Sequence, residues 1–128
     1  MKYLDANVII RLLEADAPTR QTLSSILQGR RGGFLTSELS LLECRCRPMK
    51  NGDLPLLKLY DAYFSSAELR LVPIDRTIID KATELRATSK LRVPDALHLA
   101  TAIIHQAACF YTGDLHFQGI KQLPIQIL

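Results

Sequence analysis

Short apolar segments typical of buried strands alternate with helical segments along the chain. The strand-like segments are Lys2 to Leu4, Phe34 to Thr36, Leu69 to Pro73, Cys109 to Thr112 and Ile125 to Leu128. Strands that alternate with helices are typical of α/β layers, because each helix carries the chain back so that the next strand can run parallel to the last. The alternation therefore predicts an α/β fold with a mainly parallel central sheet.

The helices are predicted from apolar residues at helical spacing and from the residues that start and end helices. Two short helices follow the first strand, and the second is expected to stop near Gly29. The later predicted helices are one from Glu38, capped by Ser37 and ended at the latest by Pro48; one over Leu54 to Phe64; one after the N-cap Asp75; and one over Ala96 to Ala108, with Pro94 near its start.

Length and composition indicate one folded domain. The chain has 128 residues, of which 48% are hydrophobic and 23% are charged, and its net charge is +3. Single cores are usual at roughly 50 to 200 residues, and disordered chains are far more polar than this one. No apolar run reaches the roughly 18 residues of a membrane span, and the first residues do not have the pattern of a signal peptide. We expect one cytoplasmic domain over residues 1–128 that contacts no membrane.

Four carboxylates occupy similar positions against the predicted elements. Asp5 and Asp114 each follow a strand, Glu43 lies one to two turns inside the helix after another strand, and Asp95 lies in a first helical turn. The carboxyl ends of parallel strands form the usual ligand site of such sheets, so Asp5, Glu43 and Asp114 are expected there. The placement of Asp95 at the same edge does not follow from periodicity, because its helix could begin at either end of the sheet. Acids that converge repel one another unless a cation is bound.

Five segments resemble, in order, those of the PIN-domain nucleases, and within that family those of the VapC-type toxins of bacterial and archaeal toxin–antitoxin pairs. The segments are YLDANVII, SELSLLE, IDRTIIDKATELRA, LRVPDALHLATA and FYTGD, and PDALHLATA is the most specific of them. Together they span nearly the whole chain. The resemblance implies a three-layer α/β/α fold with a mainly parallel sheet and an acidic pocket that holds Mg²⁺ or Mn²⁺ for RNA hydrolysis.

The resemblance also implies roles for individual residues. The family's four acidic positions and two neighbouring polar positions match Asp5, Glu43, Asp95, Asp114, Asn7 and Thr112. Because Mg²⁺ takes one or two carboxylates and keeps several waters, Asp5 and Asp95 are expected to be direct ligands. The other two acids are expected to hold waters or a second ion, and Asn7 and Thr112 to orient carboxylates through hydrogen bonds.

Two positions depart from the family pattern. Many members carry an asparagine directly before the last aspartate and a further aspartate two residues after it, where this chain has Gly113 and His116. The departure leaves the number of metal ions open. His116 is either a softer ligand, which would suit Mn²⁺ better than Mg²⁺, or a surface histidine, and the surface position is the preferred interpretation.

Other basic side chains accompany the acids. His98 lies one turn after Asp95, and the preferred interpretation is that it packs between helix and sheet with one nitrogen hydrogen-bonded; the alternative is a proton shuttle near the metal. Lys90, Arg92 and Arg11 are candidate contacts to the RNA phosphate backbone, on which nucleic-acid affinity largely depends. The alternative for each is a solvated surface cation.

The predicted function is an endoribonuclease, dependent on Mg²⁺ or Mn²⁺, that acts as the toxin of a toxin–antitoxin pair and leaves 5′-phosphate and 3′-hydroxyl ends. The resemblance implies an RNA substrate, an antitoxin partner and a homodimer, with exposed apolar residues of the helix Leu54 to Phe64 as part of a partner surface. Two alternatives stay open: a non-catalytic module that binds RNA or protein, and a housekeeping RNA-processing nuclease with the same chemistry.

Overall fold

Five parallel strands form the sheet of the computed structural model, which describes residues 1–28 and 32–128. The strands are β1 (Lys2–Leu4), β2 (Phe34–Ser37), β3 (Leu69–Val72), β4 (Phe110–Thr112) and β5 (Ile125–Ile127). Their order is β3-β2-β1-β4-β5, and every neighbouring pair runs parallel. The predicted α/β fold with a mainly parallel sheet is confirmed.

Six α-helices in the described residues connect the first four strands in pairs. They are α1 (Ala6–Glu14), α2 (Ala17–Leu27), α3 (Leu39–Lys50), α4 (Leu54–Phe64), α5 (Arg76–Ala87) and α6 (Val93–Ile104). A 3₁₀ helix, Leu115–Phe117, lies between β4 and β5. Across residues 1–28 and 32–128, no helix combines the length and the apolar character needed to cross a membrane.

Two hydrophobic cores lie on opposite faces of the sheet. Successive strand side chains point to opposite faces, so Tyr3 and Phe110 enter the core formed with α5 and α6, whereas Leu4 and Tyr111 enter the core formed with α1 to α4. All four of these side chains are at most 1% exposed. The arrangement is the expected three-layer α/β/α fold.

The starts of α5 and α3 follow the predictions to different degrees. Asp75 is the N-cap of α5, and its Oδ1 accepts a hydrogen bond from the Ile78 N–H at 2.9 Å. For α3, Glu38 occupies the N-cap position and Ser37 is the last residue of β2. The Ser37 hydroxyl still accepts from the Leu39 N–H at 3.1 Å, so it satisfies one of the unpaired donors of the helix start.

The predicted end of α3 is wrong, because the helix passes through Pro48 and continues to Lys50. Proline lacks an N–H and so removes one intrahelical bond, and only two helical residues follow Pro48. The Asn51 N–H still donates to the Arg47 carbonyl at 3.0 Å, and the Pro48 side chain is buried.

The predicted end of α6 is also wrong, because the helix stops at Ile104 instead of Ala108. Gln106 has φ of 55°, in the left-handed region, and the Ala107 N–H donates back to the Ala102 carbonyl at 2.9 Å. Such a left-handed residue ends helices even without glycine, although glycine is the usual signal. The predicted stop of α2 near Gly29 lies outside the described residues.

Candidate active site at the carboxyl ends of the strands

Asp5 joins β1 to α1 and is almost fully buried, at 5% exposure. Its Oδ1 accepts from the Ala6 N–H at 2.8 Å, and its Oδ2 accepts from the Thr112 hydroxyl at 2.7 Å and from the Asn7 amide at 3.1 Å. Burial raises the pKa of Asp5, and this effect outweighs the opposing effects of the nearby His98 ring and of the Thr112 hydrogen bond. A bound cation would restore the charged carboxylate that burial disfavours.

Thr112 and Asn7 tie Asp5 to the end of β4. The Thr112 hydroxyl also accepts from the Asp114 N–H at 3.0 Å, and the Asn7 side-chain oxygen accepts from the Gly113 N–H at 2.7 Å. A Cβ atom at position 113 would lie only 3.3 Å from that Asn7 oxygen. Glycine at 113 therefore permits the close approach of α1 to β4.

His98 lies on α6 between two acids and is 1% exposed. Its Nε2 is 2.5 Å from Glu43 Oε1 and 3.6 Å from Asp5 Oδ1, and its Nδ1 is 2.5 Å from the Tyr3 hydroxyl. The Tyr3 oxygen in turn accepts from the Ser37 N–H at 3.1 Å. Because burial raises the pKa of Tyr3 well above its ordinary value, the phenol keeps its proton.

The preferred interpretation of His98 as a packed histidine is therefore correct about its burial, but both of its nitrogens are hydrogen-bonded. Sequence reasoning missed its contact with Glu43, which is 55 positions away along the chain. The one available signal was its position a turn after Asp95 on the same helix face.

Asp95 and Asp114 both contact the guanidinium of Arg92. Arg92 Nε is 3.4 Å from Asp95 Oδ2, and Arg92 Nη2 is 3.9 Å from Asp114 Oδ2. Asp95 is buried in the first turn of α6, as predicted, whereas the Arg92 side chain is 72% exposed. The structure thus brings Asp95 to the same edge of the sheet as Asp114, a placement that periodicity did not provide.

His116 is a surface histidine that contacts Asp114. Its side chain is 75% exposed, and its Nδ1 is 2.7 Å from Asp114 Oδ1, which also accepts the His116 N–H at 2.9 Å. Partial burial by itself would raise the pKa of Asp114. The hydrogen bonds from His116, together with the charges of His116 and Arg92, outweigh this and lower that pKa.

An open cleft of about 760 Å³ adjoins Asp114. Its walls include Arg11, Asp114 and His116. Arg11 donates from Nη1 to the Leu128 carbonyl at 2.9 Å, which holds the guanidinium over the cleft. Lys90, the remaining predicted cation, is exposed in the segment before α6.

The donor set suits a hard cation that keeps much of its water. Within residues 1–28 and 32–128, no group of three His, Cys, Asp or Glu side chains is placed to hold a metal ion. Carboxylate, amide and hydroxyl oxygens are nevertheless what these elements present, and Mg²⁺ is commonly bound through only one or two carboxylates plus waters. The residues therefore suit an ion that keeps several waters better than an ion that is enclosed entirely by protein ligands.

Comparisons with solved structures show proteins of the same fold. A toxin–antitoxin complex from Klebsiella pneumoniae matches with a TM-score of 0.75 and 22% identity, over 96% of this chain and 95% of the other. VapBC2 from Rickettsia felis, bound to a DNA fragment from its promoter, matches with a TM-score of 0.79 and 18% identity, over 99% of this chain and 98% of the other. VapC20 from Mycobacterium tuberculosis, described as a sarcin–ricin loop cleaving toxin, gives 0.75 and 15%, over 97% and 99%.

A sequence comparison identifies the family. No protein of curated function matches the chain. The family model of the PIN domain, however, matches residues 2–123, which include all four acids and every strand except the last. The chain belongs to the PIN domain family.

Proposed function

We propose that this protein is a metal-dependent endoribonuclease and the toxin of a toxin–antitoxin pair. One observation carries the proposal: four acids from separate parts of the chain lie in two pairs at the carboxyl edge of the sheet, and one side chain links the members of each pair. They are Asp5, Glu43, Asp95 and Asp114. Membership of the PIN family and the toxins among the similar structures support this activity.

The ion would be Mg²⁺ or Mn²⁺, with Asp5 and Asp95 as direct ligands and Glu43 and Asp114 holding its waters or a second ion. When bound, such an ion supplies an activated water at neutral pH and neutralises charge on the phosphate oxygens. Thr112 and Asn7 fix the Asp5 carboxylate by donating to its Oδ2, which limits its rotation before the ion arrives. His98 holds Glu43 in the same way through Nε2.

The RNA backbone would contact the basic side chains around these acids. Arg11 lies on the wall of the cleft beside Asp114, and Arg92 contacts Asp95 and Asp114. Lys90 is exposed two residues before Arg92. Phosphate contacts supply most sequence-independent affinity for nucleic acids, so these cations suit an RNA substrate without defining its sequence.

An antitoxin and a second copy of the chain are the proposed protein partners. Large apolar side chains are exposed on both α3 and α4: Leu42 at 65%, Met49 at 64%, Leu54 at 64% and Leu59 at 49%. Helices α3 and α4 pack against each other, and apolar side chains exposed on neighbouring helices suit a protein interface. The toxin–antitoxin complexes among the similar structures support an antitoxin as one occupant.

The test compares RNA cleavage by the wild type, Asp5→Asn and Asp75→Asn, each with Mg²⁺, Mn²⁺ or EDTA. Both aspartates are N-caps, and asparagine caps helices as well as aspartate, so Asp75→Asn controls for the same exchange at a helix start away from the four acids. We expect a mixed RNA pool to be cut by the wild type and Asp75→Asn only, with activity lost in EDTA and restored by metal, and with 5′-phosphate products. Equal cleavage by Asp5→Asn would place the activity elsewhere.

A second readout separates the toxin from the other interpretations. We expect expression of the wild type to arrest growth and expression of Asp5→Asn not to do so. Growth arrest by both proteins would indicate sequestration of RNA or protein by a non-catalytic module. Cleavage in vitro without any growth arrest would favour an RNA-processing nuclease.

A further inference from the structure

The guanidinium of Arg92 lies where the proposed function needs a cation. It contacts Asp95 at 3.4 Å and Asp114 at 3.9 Å, and these acids belong to different elements, α6 and the start of the 3₁₀ helix. In residues 1–28 and 32–128, no other arginine or lysine forms an ion pair with any of the four acids. Arg92 is thus the one arginine or lysine of the described residues that pairs with both Asp95 and Asp114.

Both ion pairs of Arg92 are weak. Its side chain is 72% exposed, and an exposed pair loses most of its Coulomb attraction to solvent and to the ordering of a long side chain. A divalent cation carries twice the charge and binds the same oxygens directly, at shorter distances. The ion is therefore expected to displace the guanidinium from the two acids.

The displaced side chain stays at the rim of the site. Arg92 is the residue directly before α6, in extended conformation, and α6 fixes its backbone three residues before Asp95. Guanidinium groups pair with phosphate oxygens through two parallel hydrogen bonds, a geometry that lysine cannot match. A free Arg92 beside the ion is well placed for a phosphate that the ion also contacts.

We propose that Arg92 is an internal counter-ion that a divalent cation displaces and that then binds the RNA phosphate at the same site. The inference rests on the proposed metal-dependent function. It predicts effects of opposite sign, since loss of Arg92 should strengthen metal binding and weaken RNA binding. A variant that merely damages the fold would weaken both.

The first experiment measures Mn²⁺ binding by calorimetry, without RNA, for the wild type, Arg92→Gln and the control Arg76→Gln. Arg76 pairs with Asp80 at 3.3 Å on α5 and is 88% exposed, so its loss removes one surface ion pair away from the acids. We expect Arg92→Gln to bind Mn²⁺ about two- to fivefold more tightly than the wild type, the range for loss of an exposed pair. Arg76→Gln should bind as the wild type does.

The outcomes separate this inference from the function on which it rests. Mn²⁺ binding that Arg92→Gln leaves unchanged or weakens would overturn the exchange and leave the metal site intact. No Mn²⁺ binding by the wild type would overturn the metal site, and the exchange with it.

The second experiment measures binding of a labelled single-stranded RNA with phosphorothioate linkages, which resist hydrolysis, by fluorescence anisotropy. In Mn²⁺ we expect Arg92→Gln to bind this RNA about two- to tenfold more weakly than Arg76→Gln, which has the same net charge. In EDTA the two variants should bind the RNA equally, because without metal Asp95 and Asp114 hold the Arg92 side chain and keep it from the phosphate. Equal RNA binding by the two variants in Mn²⁺ would overturn the proposed contact of Arg92 with the RNA phosphate. The same loss of RNA binding by Arg92→Gln in Mn²⁺ and in EDTA would overturn it too.

Discussion

The four acids of the site form two pairs that are held in different ways. The inner pair, Asp5 and Glu43, is linked by His98, which is 1% exposed and hydrogen-bonded to buried Tyr3. The outer pair, Asp95 and Asp114, is linked by the largely exposed Arg92. Short buried side chains therefore hold the inner pair, and a long solvated one holds the outer pair.

The difference indicates that the inner acids are held in fixed positions and that the outer acids can exchange one partner for another. A buried network keeps its geometry because a broken bond would leave polar groups without water or a partner. A solvated ion pair is lost at little cost, because water replaces each partner. The pKa directions agree with this division, since burial raises the pKa of Asp5 whereas, despite partial burial, hydrogen bonds from exposed His116 lower that of Asp114. The inner pair is preorganised, and the outer pair can change partners.

The largest expected effect tests whether the two pairs serve one ion. Asp95→Asn should reduce RNA cleavage by about a thousandfold or more, because it removes a carboxylate that we propose as a metal ligand, and a bound metal stabilises the transition state by several kcal/mol. Initial rates in Mn²⁺ measure this, with Asp80→Asn as the control, an exposed aspartate on α5. Cleavage within a few-fold of the wild type would mean that the inner pair acts without the outer one.

The next effect tests the positioning role of the inner pair. His98→Gln should weaken Mn²⁺ affinity by about 10- to 100-fold, the usual cost of losing a group that orients a metal ligand. Calorimetry measures the affinity, and thermal unfolding in EDTA reports the loss of stability. His105→Gln, at the other end of α6, is the control. Unchanged Mn²⁺ affinity together with reduced stability would make His98 a packing residue only.

A smaller effect concerns the hydroxyl that joins the two pairs. Thr112 donates to Asp5 and accepts from the Asp114 N–H, so Thr112→Val should cost about 1–3 kcal/mol of unfolding free energy by removing one hydrogen bond from the buried Asp5 carboxylate and one from the Asp114 N–H. Urea denaturation in EDTA measures this. Thr101→Val is the matched control, because its hydroxyl donates to the Leu97 carbonyl of its own helix and contacts none of the four acids in the described part of the chain. Equal losses for both variants would argue against the bridging role.

The smallest effect is on pH dependence in the metal-free protein. Asp5, with its raised pKa, favours the folded state most at low pH, and this contribution is lost as pH rises through its folded pKa. Asp114, with its lowered pKa, stabilises the folded state above the unfolded pKa of about 3.9, and this contribution is lost as pH falls through its folded pKa. Carboxyl NMR in EDTA should therefore show Asp5 titrating above, and Asp114 below, the ordinary range.

His116→Ala tests the cause of the second shift. The variant should raise the pKa of Asp114 and leave that of Asp5 unchanged, with RNA cleavage within about twofold because the side chain is mostly solvated. An Asp114 pKa that stays low in His116→Ala would assign the shift to the backbone N–H of residue 116 and to Arg92 instead of the His116 ring.

Local patterns in the sequence were sufficient for most of the fold. The bounds of β1 and α4 match the prediction, and Asp75 caps α5 as predicted, because apolar period and cap chemistry act within a few residues. The predicted start of α6, Ala96, lies three residues after the observed start at Val93, and the predicted ends of α3 and α6 were wrong. Helix α3 continues through Pro48, whose side chain is buried in the fold. Helix α6 ends before Gln106, which takes a left-handed backbone conformation although it is not a glycine.

The sequence by itself determined the layer architecture, the four acids and, through its resemblance, their family. Only the tertiary structure decided how the acids are paired. His98 meets Glu43 across 55 positions, and Thr112 meets Asp5 across 107. Periodicity reports which face of an element is buried, but it does not report which distant side chain lies opposite. Strand order and the direction of α6 decide that, and they bring His98 to one pair of acids and Arg92 to the other.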